Sequence, residues 1–293
     1  MTMRLNDRRI RRALMGLGLG LALGLGPVAI TASIAADKAL TAAVAGPWRS
    51  AESRARDAYR HPEAALKFWG LNPGMTIVEL EPGNKGWWVE ILAPYAKATG
   101  GHYVAALPDR TEPGIAENVL AARNKAHAAF AEEVADKAIY GNASAIDFGP
   151  KKLDALAPQS ADMVLVARSF HNWARSGRTE PYLKAIATVL KPGGVLAVEQ
   201  HRAPAGSDQK PDTGYVTEAH VIEAATKAGL VLEARSEINA NPKDNHNHPF
   251  GVWTLKPIRF SSDASRTLTE AERAQYDAIG ESDRMTLRFR KSR

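Results

Sequence analysis

The chain has 293 residues, 45% hydrophobic and 24% charged, with 38 basic and 32 acidic side chains for a net charge of +6. It contains no cysteine, which excludes disulfide staples, thiolate zinc sites and thiol nucleophiles. The basic excess sits at the start: without residues 1–36, 33 basic and 31 acidic side chains remain, and no basic stripe interleaved with aromatics points to nucleic acid.

Residues 1–12 carry Arg4, Arg8, Arg9, Arg11 and Arg12 against Asp7, and residues 13–30 are uncharged and apolar. Small residues follow at Ala35 and Ala36, so residues 1–36 read as an export signal cleaved near that point. The run is interrupted by five glycines and Pro27, which argues against a permanent membrane span and places the mature protein in the periplasm. The pair Arg8-Arg9 is a weak twin-arginine signal.

Asp37 to Ala45 reads as a tether of small residues. Glu52–Tyr59 and Pro62–Trp69 read as helices that cap the domain, so residues 37–70 precede an α/β domain of residues 71–293. Strand–helix alternation then begins. Strands are expected at Thr76–Leu80, Tyr103–Leu107, Lys137–Tyr140, Ala161–Arg168, Val195–Glu199, Leu230–Ile238 and Thr286–Arg290. Helices are expected at Ala116–Ala135, Pro181–Leu190, Glu218–Ala228 and Thr269–Ile279, the last opening on a Thr269/Glu272 capping box. This rhythm predicts an α/β fold: a doubly wound, mostly parallel, seven-stranded sheet with an N-terminal helical cap.

The segment TIVELEPGNKGWW is the most informative motif. An apolar strand ends in Glu79, and Pro82, Gly83 and Gly86 permit a tight turn before a helix. A helix start behind such a turn offers unpaired N–H groups, and open α/β sheets bind ligands at the carboxyl ends of their strands. The dinucleotide fingerprint GxGxxG is absent.

With the strand Ala161–Arg168 and the stop Leu190-Lys-Pro-Gly-Gly194, this motif resembles class I S-adenosylmethionine-dependent methyltransferases. The blocks PWRSAESRARDAYRHPEAALKFWGLNPGM, RSFHNW, VEQHRAP, SEINANPKD and GESDRMTLRF, spread from Pro47 to Phe289, are similar to an exported bacterial group of predicted methyltransferases. The resemblance implies S-adenosylmethionine as cofactor and methyl transfer to an O or N nucleophile of a small molecule. It implies that Glu79 holds the donor's amino group and that Pro82, Gly83 and Gly86 line its methionine and ribose end. Asp109, two residues beyond Leu107, would meet the ribose, and Asn142 the adenine. Glu81 and Lys85 stand where this turn usually has small residues. The alternative is an exported, non-catalytic small-ligand-binding or scaffold protein that keeps the fold.

Two histidines are candidate bases: His171, just beyond the fourth strand, and His201, beyond the fifth. Strands four and five are neighbours in such a sheet, so Arg168, Asn172, Trp173, Glu199 and Arg202 are expected to meet them as substrate-binding residues. Asp244, His246 and His248 lie in a polar loop and read as solvated rather than metal-binding.

Overall fold

The computed structural model describes residues 27–83, 86–208 and 210–293. Residues 1–26 of the expected leader, Asn84, Lys85 and Gln209 lie outside them. Strands β1 (Thr76–Leu80), β2 (His102–Pro108), β3 (Ser144–Phe148), β4 (Ala161–Ala167), β5 (Leu190–Ala203), β6 (Val216–Thr217), β7 (Leu230–Ser236) and β8 (Arg284–Lys291) form the sheet. Its order is β3-β2-β1-β4-β5-β8-β7, with β6 paired to β5. Strands β1 to β5 pair in parallel, whereas β8 runs antiparallel between β5 and β7.

The central strands are apolar on both faces because helices cover both. Ile77, Tyr103, Ala105, Met163, Leu165 and Ala197 face one layer. Helices α1 (Pro27–Val44), α4 (Pro62–Trp69) and α5 (Val89–Thr99) fill that layer, with α2 (Ala51–Ala55) and α3 (Asp57–Arg60) between them in sequence. Alternate residues Val78, Leu80, Val104, Ala106, Val164 and Val198 face the other. There α8 (Phe170–Arg175), α9 (Thr179–Val189) and α10 (Glu218–Lys227) supply Phe170, Trp173, Tyr182, Ile186 and Val221. Helices α6 (Glu117–Glu133), α7 (Lys137–Tyr140) and α11 (Glu270–Ile279) complete the set.

The expected tether is helical: α1 continues through Val44, and Leu40 and Ala43 are buried in the core. The region beyond the expected cleavage point therefore packs as part of the fold. The helical cap is joined to the last strand, since Trp69 Nε1 donates to Leu287 O at 3.1 Å and Arg284 donates to Tyr59 O at 2.7 Å.

One strand was misplaced by the sequence pattern. Lys137–Tyr140 is a single helical turn capped by Asp136, whose side chain accepts from Ala138 N. The third strand is Ser144–Phe148. Asn142 thus precedes the strand and lies at the amino edge of the sheet, opposite the edge where the adenine contact was expected. Among the described residues, no helix is long and apolar enough to cross a membrane.

Candidate functional site

The carboxyl ends of β1, β2, β4 and β5 surround a cavity of about 580 Å³. Strands β1 and β4 are adjacent, and the chain crosses from one side of the sheet to the other between them, so this is the switch point of a doubly wound sheet.

Two non-glycine residues lining the cavity adopt left-handed backbone: Glu81 just past β1, at φ 51°, and Arg168 just past β4, at φ 62°. Such conformations cost on the order of 1 kcal/mol or more and persist where the surroundings enforce them. Here the enforcement is visible: Glu81 N donates to Ala106 O at 2.9 Å, and Arg168 N donates to Glu199 O at 2.7 Å. Both strand ends are pinned to neighbours before the chain turns away.

Two carboxylates reach the cavity, Glu81 and Glu281, and Glu81 is the one outside the arginine cluster. Trp173 Nε1 donates to its Oε2 at 3.1 Å, and burial pushes the carboxyl above its ordinary range against the lowering effect of Trp173 and Arg178. Among the described residues, no cation lies within ion-pair distance of Glu81. Beside it, Pro82, Gly83, Leu107, Pro108 and the α6 residues Val119, Ala122 and Ala126 form a largely apolar wall.

The opposite wall carries Arg168, His171, Asn172 and His201, joined by Trp253 and Lys256. The two imidazole rings are 5.8 Å apart, and Trp253 meets His171 edge-on at 5.7 Å. Burial lowers His171 to about 4, with Gln200 opposing the shift through a 3.4 Å contact to Nδ1. Burial, then the neighbouring His171 and arginines, holds His201 well below the usual histidine range. Both rings are neutral at neutral pH. His201 Nδ1 lies 2.5 Å from Ser282 Oγ, itself a cavity residue.

Several expected site residues lie off the cavity. Glu79 shares the face of Ile77 because strand side chains alternate, and it is buried against Tyr103, whose hydroxyl donates to it at 2.6 Å. Burial lifts Glu79 to about 7, with the Tyr103 hydrogen bond acting against the shift. Asp109 is buried and accepts from Thr111 N and Oγ1 at 2.9 and 2.8 Å. Glu199 is fully buried and ion-paired with Arg284 at 2.5 Å. Arg202 is spent on Asp283 at 2.8 Å and Glu237 at 2.7 Å. Trp173 lies in the core, tilted against Phe170 and edge-on to Tyr182, and is joined to the cavity through its hydrogen bond to Glu81. Gly86, at φ 47°, supports the turn, where an added Cβ would meet Val89 Cγ1 at 2.4 Å. His248 is used locally, 2.7 Å from Asp244, which also accepts from Tyr215.

Sequence reasoning missed Trp253, Lys256, Arg175, Arg178 and Ser282 as cavity residues. Trp253 and Lys256 come from a segment with no strand–helix signal, and Ser282 from the turn before β8, so only the folded chain brings them to this edge.

No protein-family profile matches the chain, and no curated relative matches it in sequence. Solved structures do match. The chain is similar to the [4+2]-cyclase SpnF, at 14% identity over 89% of this chain and 95% of that one, with a TM-score of 0.52. It is similar to a protein of Galdieria sulphuraria described as a candidate sarcosine dimethylglycine methyltransferase, at 16% identity over 88% and 98% of the two chains and a TM-score of 0.50. A SAM-dependent methyltransferase from Aquifex aeolicus matches at 20% identity over 63% and 87%, with a TM-score of 0.47. Identities this low define architecture: the chain has the fold of class I S-adenosylmethionine-dependent methyltransferases. A cyclase has a similar structure, so the fold by itself does not name a reaction.

Proposed function

We propose that this protein is an S-adenosylmethionine-dependent methyltransferase acting on an O or N nucleophile of a small molecule, and that its leader exports it to the periplasm. The supporting observation is one cavity at the switch point with two chemically different walls. The wall of β1, β2 and α6 fits the donor. Glu81 offers a partly desolvated carboxylate for an ammonium, Pro82 and Gly83 offer close backbone, and Leu107, Pro108, Val119, Ala122 and Ala126 offer an apolar surface for a purine. Bound there, S-adenosylmethionine supplies a methyl group on cationic sulfur.

The wall of β4 and β5 holds the acceptor. Its contribution is mostly to fix the nucleophile at near-attack distance. A neutral imidazole beside it can take the proton released as the O–C or N–C bond forms. His201 suits this role when Ser282 Oγ accepts from Nδ1–H, because Nε2 then keeps its lone pair.

Calorimetric titration with S-adenosylmethionine and S-adenosylhomocysteine tests the donor half. Glu81→Gln should weaken S-adenosylmethionine binding by roughly 10- to 100-fold, the range for losing a hydrogen bond to a charged group. A wild-type protein that binds neither compound at millimolar concentration removes the methyltransferase reading.

A second reading has its own support. Glu79 and Asp109, the acids that the resemblance assigned to the donor, are both buried and lie off the cavity, Glu79 hydrogen-bonded by Tyr103 and Asp109 by Thr111 through Oδ1. A small-ligand-binding protein that kept the fold and lost the donor site has this arrangement, and the same null titration would favour it.

A further inference from the structure

The cavity is unbalanced in charge. Among the described residues, Arg123, Arg168, Arg175, Arg178 and Lys256 line it, against two carboxylates, Glu81 and Glu281. Glu281 is already claimed by Arg56 at 2.8 Å, Arg60 at 3.0 Å and Arg284 at 3.1 Å. The neutral histidines add no charge. Of the cations, Arg123 pairs with Glu112 at 2.8 Å. Arg175 reaches only Asn172 Oδ1, at 3.2 Å, and Arg178 reaches Ser176 Oγ and the Tyr182 hydroxyl.

Arg168 is the most exceptional. Its guanidinium makes no hydrogen bond or ion pair to any described residue, and its Nε is sealed from solvent without a partner. Of the acids near enough to attract it, Glu199 and Glu281 are both bound by Arg284, and Glu79 is hydrogen-bonded by Tyr103 without reaching ion-pair distance. Arg168 as a whole is half-buried, but an Nε sealed from water carries a cost unless a partner completes the planar fork of donors. The strained backbone at Arg168 keeps that group at the cavity although no protein group answers it. Besides its polar groups, this side carries an apolar patch of Trp253, Val252, Pro257 and Ile258, the last 61% exposed.

We propose that the ligand on this wall is an organic carboxylate with an apolar, ring-sized body, its carboxylate on the Arg168 guanidinium and its body against Trp253. A carboxylate matches the guanidinium fork with two parallel charge-assisted hydrogen bonds. The identification of this ligand as the methyl acceptor rests on the methyltransferase reading; the anion site itself does not.

The test is calorimetry on the whole protein with 4-hydroxybenzoate, its neutral isostere 4-hydroxybenzamide, and phenyl phosphate, without any S-adenosylmethionine. The carboxylate should bind at least ~10-fold more tightly than the amide, the gain expected from a charge-assisted pair. Arg168→Gln should erase that preference, and Arg168→Lys should restore part of it, since lysine keeps the charge and loses the fork. Should Arg168→Gln fail to fold by circular dichroism, the wild-type ratio still decides, and Lys256→Gln should reduce it by a few fold through the weaker local field. A wild type with no carboxylate preference overturns the proposal, as does a folded Arg168→Gln protein that retains it. Tighter binding of phenyl phosphate overturns the choice of carboxylate. A protein that prefers the carboxylate yet ignores S-adenosylmethionine keeps this site and loses methyl transfer; the opposite result loses only the anion site.

Discussion

Two carboxylates are buried in the same sheet, with one strand, β4, between them, in different circumstances. Glu199 on β5 meets a guanidinium, Arg284, which also holds Glu281 and the carbonyl of Tyr59. Glu79 on β1 is hydrogen-bonded by the Tyr103 hydroxyl, with Arg168 acting on it only from a distance, and burial lifts it to about 7. The comparison teaches that burial makes an acid expensive and that the partners within reach decide how the cost is met, by an ion-pair network at Glu199 and by a raised pKa at Glu79. A charged partner commits the site to ion pairing; a hydroxyl leaves the acid free to neutralise.

The largest effect should come from breaking the charged partnership. Arg284→Met strands Glu199, while Glu281 keeps Arg56 and Arg60, and should destabilise the protein by about 3–5 kcal/mol. Urea unfolding measures this, and a loss below about 1 kcal/mol would mean that the network contributes little.

Removing the unpaired acid should act in the other direction, and only at higher pH. The folded-state pKa of Glu79 is raised from 4.5 to about 7, so its contribution is fully present below 4.5 and is lost as pH rises through 7. Above that window ionised Glu79 is a burden approaching ~3 kcal/mol. Glu79→Gln should therefore match wild type near pH 4.5 and exceed it in stability by up to that amount at pH 8. A difference that stays constant with pH would show that Glu79 titrates normally.

His171 sharpens the same experiment because its shift has the opposite sign. Lowered from 6.5 to about 4, it contributes stability that is present above 6.5 and lost as pH falls through 4. The two slopes oppose each other in wild type. In Glu79→Gln the histidine slope should stand out, and adding His171→Gln should flatten it.

The smallest expected change is at the partner of Glu79. Tyr103→Phe removes the one donor that lowers this acid, so stability should fall by about 1–2 kcal/mol and the Glu79 transition should move upward in pH. An unmoved transition, followed by carboxyl infrared absorption, would break the comparison.

Much of the architecture was legible. The apolar run Ala161–Arg168 became β4, the Thr269/Glu272 capping box formed as expected, and the neighbouring ends of β4 and β5 brought Arg168, His171, Asn172 and His201 to one cavity. Lys137–Tyr140 failed because Ile139 and Tyr140 look strand-like, whereas Asp136 and Gly141 close a helical turn around them. That error also carried Asn142 to the wrong edge.

The site was only half legible, and the reason is geometric. Periodicity can say that Glu79 and Ile77 share a face, but only β2 laid alongside puts Tyr103 over that face and takes the acid out of the cavity. Glu81 reaches the cavity because a left-handed turn and Trp173, 92 residues away, hold it there. Arrangement of apolar residues along the chain determined the layers, since burial of both sheet faces follows from local pattern. Which charges meet a partner and which face the cavity was decided by the tertiary structure alone, because pairing depends on positions that distant segments take up only after folding.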